Sequence, residues 1–147
     1  MAPTTRETYF ENEVLTAPPQ KRHLMLIEGA LRYCYAAFDC WKKQQEEPRA
    51  ALLVRAQQIM VAMITGLKYD RTPELIRQVA RVYVFIYRSI VEAHVNHDPQ
   101  KLADAIRVLH IERETWQQVC RQLAGQQPTG MPLTTVDEPY TRLSLNA

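Results

Sequence analysis

Four stretches of this chain repeat apolar residues at alternating steps of three and four, and a proline stands at the head of each: Pro19, Pro48, Pro73 and Pro99. Proline is tolerated in the first turn of a helix, because its missing N–H has no partner there and its fixed φ suits the helix. The first stripe is Leu24, Ile27, Leu31, Cys34, Phe38 and Trp41, and the second is Leu53, Ala56, Met60, Met63 and Leu67. The third is Leu75, Val79, Val82, Ile86, Ile90 and Ala93. The fourth is Leu102, Ile106, Leu109, Trp116, Cys120 and Leu123, with Arg113 interrupting it. Such steps keep each set on one face of a helix, whereas a strand needs alternation by two. The spacing predicts helices over about 19–45, 48–67, 73–96 and 99–124. Thr72 and Asp98 are the expected side-chain caps, and Gly125 the expected stop.

The links between these segments are short: 46–47, 68–71 and His97. Short links make consecutive helices antiparallel neighbours. The expected fold is therefore all-α: an antiparallel up-down-up-down four-helix bundle over 18–125. An N-terminal segment, 1–17, is expected to pack on the bundle. A tail, 126–147, with Pro128, Pro132 and Pro139 among Thr, Gln and Ser, is expected to be disordered. One stretch conflicts with helix. Val82-Tyr83-Val84-Phe85-Ile86-Tyr87 has strand propensity, yet the stripe around it is too long for a strand. Six apolar residues in a row cover every face of a helix, so this helix is either central in the bundle or partly covered by a partner.

Composition narrows the function. The chain has 147 residues, the size of one domain, and only four glycines, where average usage gives about ten. Neither GxxxxGK[ST] nor GxGxxG occurs, and the two serines, Ser89 and Ser144, are outside any GxSxG. No Glu stands three residues before any of the four histidines, so the Glu-x-x-His pattern of di-iron bundles is absent. His94, His97 and Asp98 cluster at one helix end, where a solvated terminus is the simpler account than a metal site. We expect no enzyme and no cofactor. A net charge of +2 argues against a dedicated nucleic-acid binder. The N-terminus has no apolar leader core, and the longest apolar run is far shorter than the ~20 residues of a membrane span. Cys34, Cys40 and Cys120 are odd in number and lie at apolar helical positions, as buried free thiols do. A reduced, cytoplasmic setting is expected, without membrane insertion.

What remains is binding of another chain. Tyr83 and Tyr87, four apart, stack on a face offset from the Val82/Ile86 stripe, and tyrosine suits interfaces. A second buried face would explain them equally well. Gly29 lies inside the first predicted helix, where it costs up to about 1 kcal/mol relative to Ala. Close approach of another backbone, from this chain or a partner, is the expected return. Met60 and Met63 offer deformable apolar contact, although core filling is the simpler role.

Several of these residues occur in blocks that resemble the flagellin-export chaperone family, FliS. Tyr9…Asn12-Glu13-Val14-Leu15-Thr16-Ala17-Pro18-Pro19 is similar to the family's Y-x-x-N-x-V-x-T-A-S-P signature. Leu24-Met25-Leu26-Ile27-Glu28-Gly29-Ala30 resembles its L-M-L-Y-D-G-A block, and Arg55-Ala56-Gln57-Gln58-Ile59 its K-A-Q-x-I. Tyr83 to Arg88 with Val91-Glu92-Ala93 resemble the aromatic third helix and its V-E-A-N end, and Arg113-Glu114-Thr115-Trp116 the R-E-x-W of the fourth. The blocks keep their order from Tyr9 to about Leu123. Pro18 in place of Ser, Ile27 in place of Tyr and His94 in place of Asn are departures.

The resemblance implies a cytoplasmic chaperone for the C-terminal segment of newly made flagellin. That segment would fold as amphipathic helices onto apolar grooves of the bundle, which prevents premature polymerisation and supports delivery to the flagellar type III export gate. It also implies that the N-terminal segment covers part of the groove in the absence of flagellin, with Tyr9, Val14 and Leu15 standing in for the client. The ordinary alternative is that these residues staple the first helix to the bundle. The expected partner contacts are Tyr9, Val14, Leu15, Gly29, Ile59, Met63, Tyr83 and Tyr87. A monomer or weak homodimer is expected. The rival function is a helical regulatory adaptor, or a homodimeric interaction protein, with a different client.

Overall fold

The computed structural model describes residues 5–67 and 73–126. Five helices make up this part: α1 (Thr5–Thr16), α2 (Pro19–Lys42), α3 (Glu46–Thr65), α4 (Pro73–Val95) and α5 (Pro99–Gln126). There is no strand among the described residues. The cap expected at Thr72, the link 68–71 and the tail beyond Gln126 lie outside them.

Helices α2 to α5 pack as a closed ring, α2 on α3, α3 on α4, α4 on α5 and α5 back on α2. Each turns its apolar stripe inward. Leu26, Ile27, Ala30 and Cys34 of α2 meet Leu53, Ala56, Met60 and Met63 of α3 in one core with Ile86, Ile90, Leu102, Ala105 and Leu109. The strand-like run Val82 to Tyr87 is helical, as the long stripe around it required. Tertiary burial overrides its propensity.

The helix ends differ in detail from the sequence expectations. Asp98 caps α5 as expected, its carboxylate accepting the Gln100 N–H at 3.0 Å. Pro48 is not the opening residue of α3; the helix begins at Glu46, and Pro48 sits inside its first turn. Gly125 does not stop α5, which continues through Gln126. Gly66 is the glycine that ends a helix, as the C-cap of α3.

Two turns do without glycine. Gln44 and His97 adopt left-handed backbone, with φ of 57° and 50°. After α2 the Gln44 N–H donates to Trp41 O and the Gln45 N–H to Cys40 O; after α4 the Asp98 N–H donates to Ala93 O. The first pair is the Schellman arrangement, which satisfies the carbonyls left over at a helix end. Arg49 ties the two turns together. Its guanidinium stacks 4.3 Å from the Trp41 ring centre and donates through Nη2 to His97 Nδ1 at 3.0 Å. His94 is likewise engaged, by Gln57 Nε2 at 3.3 Å. Among the described residues no three His, Cys, Asp or Glu side chains come together as metal ligands. No described helix is long and apolar enough to cross a membrane.

A polar cluster crosses the centre of the ring. His23 of α2 is fully buried and hydrogen-bonded through Nε2 to the Tyr83 hydroxyl of α4. The Trp116 ring of α5 lies 4.0 Å from the His23 ring, centre to centre. Burial lowers the His23 pKa to about 3, so the imidazole is neutral. Cys34 and Cys40 are buried free thiols and Cys120 is partly covered. Burial pushes the Cys34 thiol up to about 12, which leaves it unreactive.

Candidate functional site: the α1 seam

Thr5–Thr16 of the N-terminal segment form a helix, α1, that packs against α2. An isolated helix of this length is marginal in water, so its order comes from docking. Phe10 and Val14, four apart, form the docking edge. Val14 is fully buried in the core. Phe10 lies over the seam where α2 meets α3. A Cβ added to Gly29 would sit 2.7 Å from Phe10 Cζ and 3.3 Å from Ile59 Cδ1. Glycine at 29 therefore makes a notch in α2 that admits the Phe10 ring. The expectation of another backbone at this glycine is corrected: an aromatic side chain and a methyl group approach it.

Polar groups surround the notch. The Arg32 guanidinium lies 5.3 Å from the Phe10 ring centre. Glu7 forms a forked pair with Arg55 of α3, Nε to Oε1 at 3.1 Å and Nη2 to Oε2 at 3.2 Å. Arg22 of α2 donates to Val14 O at 3.0 Å and to Ala17 O at 3.2 Å. Val14 O also accepts the Ala17 N–H at 3.4 Å, so Arg22 adds a side-chain tether to the turn that follows α1. Tyr33 is close enough that burial raises its hydroxyl pKa, with Glu7 acting in the same direction. Nothing in this set forms a nucleophile–base pair; the chemistry is apolar docking edged by one ion pair, Glu7–Arg55, and by the guanidinium groups of Arg22 and Arg32.

The structure gathers Val14, Gly29 and Ile59 at or beneath α1, and leaves other expected contacts elsewhere. Tyr9 is 66% exposed. The Leu15 side chain lies outside the described ones. Met63 is core, and Tyr87 packs half-buried against the core from α4. Tyr83 is 1% exposed, and in this state it belongs to the His23 cluster rather than to an outward tyrosine pair. Sequence reasoning missed Phe10 and its escort of Glu7, Arg32 and Arg22. The available signal was slight: an apolar pair four apart in a short segment, and a glycine inside a helix.

The same segment order appears in known proteins. The family model described as "Flagellar protein FliS" matches residues 1–123. A relative from Bacillus subtilis (strain 168), named flagellar secretion chaperone FliS, is 28% identical over 110 residues, covering 75% of this chain and 81% of the relative. One of the same name from Campylobacter jejuni is 25% identical over 111 residues, covering 76% and 87%. A third, from Vibrio cholerae, is 21% identical over 114 residues, covering 78% and 84%. The match takes in all five helices, reaching from α1 with its docking edge almost to the end of α5, and the chain belongs to the FliS family of flagellar secretion chaperones.

Proposed function

We propose that this chain is a cytoplasmic export chaperone that binds the C-terminal segment of flagellin, prevents its premature polymerisation and supports its delivery to the flagellar type III export apparatus. The client site is the α2–α3 seam. The observation that carries this is the way α1 is held: one ring in a glycine notch, one buried valine and charged tethers at the rim. An amphipathic helix from another chain meets the same requirements. While α1 is docked, the apparent client affinity is reduced by the fraction of molecules in which the seam is closed.

Calorimetry with a synthetic flagellin C-terminal peptide tests the proposal. The wild-type chain is expected to bind with a Kd of about 1 μM or tighter. Phe10→Ala and Gly29→Ala each weaken α1 docking, the first by emptying the notch and the second by filling it. Phe10→Ala is expected to bind the peptide more tightly than wild type, because the notch is left open to the client, and Gly29→Ala less tightly, because its methyl fills the notch the client needs. No binding by any of the three, with circular dichroism showing each folded, overturns the assignment. Unchanged affinity in both variants moves the client site away from the seam.

A further inference from the structure

Helix α4 has a face that the bundle does not use. Its buried residues, Ile76, Tyr83, Ile86, Ile90 and Ala93, lie on one side. At about 100° per residue, Arg77, Arg81 and Arg88 lie on the opposite side. All three are exposed, and among the described residues none makes an ion pair or hydrogen bond. Several basic groups elsewhere are engaged, among them Arg22 on carbonyls, Arg49 on Trp41 and His97, Arg55 on Glu7, Lys101 on Glu92 and Arg107 on Asp104, whereas α4 carries three unengaged arginines in one row. Beside the arginine row stand Phe85, 45% exposed, and Val95, 68% exposed.

The apolar run of α4 had two explanations: a central helix, or a helix partly covered by a partner. The ring geometry removes the first, since α4 packs on α3 and α5 and turns its remaining side outward. Phe85 is the part of the run left over. Arginine and aromatic side chains together are the composition enriched in protein interfaces, and the unpaired charge sets the sign of what fits.

We infer that the outer face of α4 is a second docking surface, separate from the α1 seam, for an acidic amphipathic helix of another protein. The arginines are four and seven residues apart, about 6 and 10.5 Å along the axis. A partner helix therefore presents carboxylates at i, i+4 and i+11, or the reverse order if antiparallel, with an apolar residue toward Phe85. A second copy does not match, because no described helix of this chain carries three carboxylates at that spacing. Both surfaces can be occupied at once.

The test uses the full chain and a synthetic helical peptide with Glu at i, i+4 and i+11 and leucine on the flank facing Phe85. Its control is a scrambled isomer of identical charge. Fluorescence anisotropy is expected to show the matched peptide binding about tenfold tighter than the scrambled one. The double variant R81E/R88E is expected to lose that preference, and to regain affinity for a peptide with the two facing Glu changed to Lys. Both positions are exposed, so its circular dichroism melt is expected to match wild type, and its affinity for the flagellin peptide to stay unchanged. Equal binding of the two isomers overturns the inference, as does retained binding by R81E/R88E. Loss of flagellin-peptide binding in that variant would make the face part of the client site and also overturn it. Binding to vesicles of phosphatidylcholine and phosphatidylglycerol without binding to the matched peptide would assign the face to anionic lipid instead.

Discussion

Phe10 and Tyr83 are both aromatic side chains that reach across to α2, yet they are held in different ways. Tyr83 comes from α4 and is enclosed, its hydroxyl bonded to the buried His23 and the His23 ring backed by Trp116. Three helices meet there, and the Tyr83 hydroxyl and His23 Nε2 satisfy each other inside the core, where leaving such a pair unmade is costly. Phe10 comes from α1 and rests at an edge, between a notch in α2, a methyl of α3 and the Arg32 guanidinium. Its supporting ion pair, Glu7–Arg55, is partly exposed to water. The first contact is part of what makes the bundle one object. The second joins a separable piece to it.

The largest expected effect comes from breaking the enclosed side. Tyr83→Ala is expected to destabilise the chain by about 3–5 kcal/mol, the range for removing a buried aromatic ring, with a steep fall in Tm by circular dichroism. Such a loss makes any fall in client affinity secondary to unfolding. A Tm within a degree or two of wild type would show that the diagonal contact is dispensable.

Acid should act on the same side. The His23 pKa falls from 6.5 in the unfolded chain to about 3 in the folded one. Below pH 6.5 the unfolded state takes up the proton and the folded state resists it. Stability from this group is therefore complete above 6.5 and declines as pH falls, by up to about 1.4 kcal/mol per unit, until about pH 3. His23→Gln, although less stable at neutral pH, is expected to lose less stability than wild type between pH 6 and 4 in chemical denaturation. Parallel pH curves for the two proteins would contradict the neutral, enclosed imidazole.

The smallest effect belongs to the edge. Glu7→Gln removes one partner of a partly exposed ion pair and is expected to cost less than about 1 kcal/mol, with Tm barely changed. Amide exchange over Thr5–Thr16 is nonetheless expected to quicken, while α2 to α5 keep their protection. Faster exchange spread over all five helices would mean that α1 and the bundle open together, which erases the distinction.

The four bundle helices were legible in the sequence because each carries a one-faced stripe long enough to outweigh local propensity, even across Val82 to Tyr87. The packing face of α4 was read correctly at Ile86, Ile90 and Ala93 and was one position off only in the first half of the helix. Leu75 is exposed and Ile76 buried, and Tyr83 enters the core because His23, sixty residues away, receives its hydroxyl. No local pattern encodes such a pairing. The turns at Gln44 and His97 were invisible for a related reason: a left-handed residue is expected to be glycine, and neither is. At the candidate site, Gly29, Val14 and Ile59 were legible and Phe10 was not. The helicity of α1 depends on a surface built by residues far along the chain, whereas that of α2 to α5 is written in their own periodicity.

Synthesis order gives the seam a further property. Of the five helices α1 is the earliest made, but its landing site needs Gly29 from α2 together with Arg55 and Ile59 from α3. Chains fold from the N-terminus as they emerge. Until α3 has left the ribosome there is no surface for α1 to recognise, so the first helix born must wait for the third before it has anywhere to go.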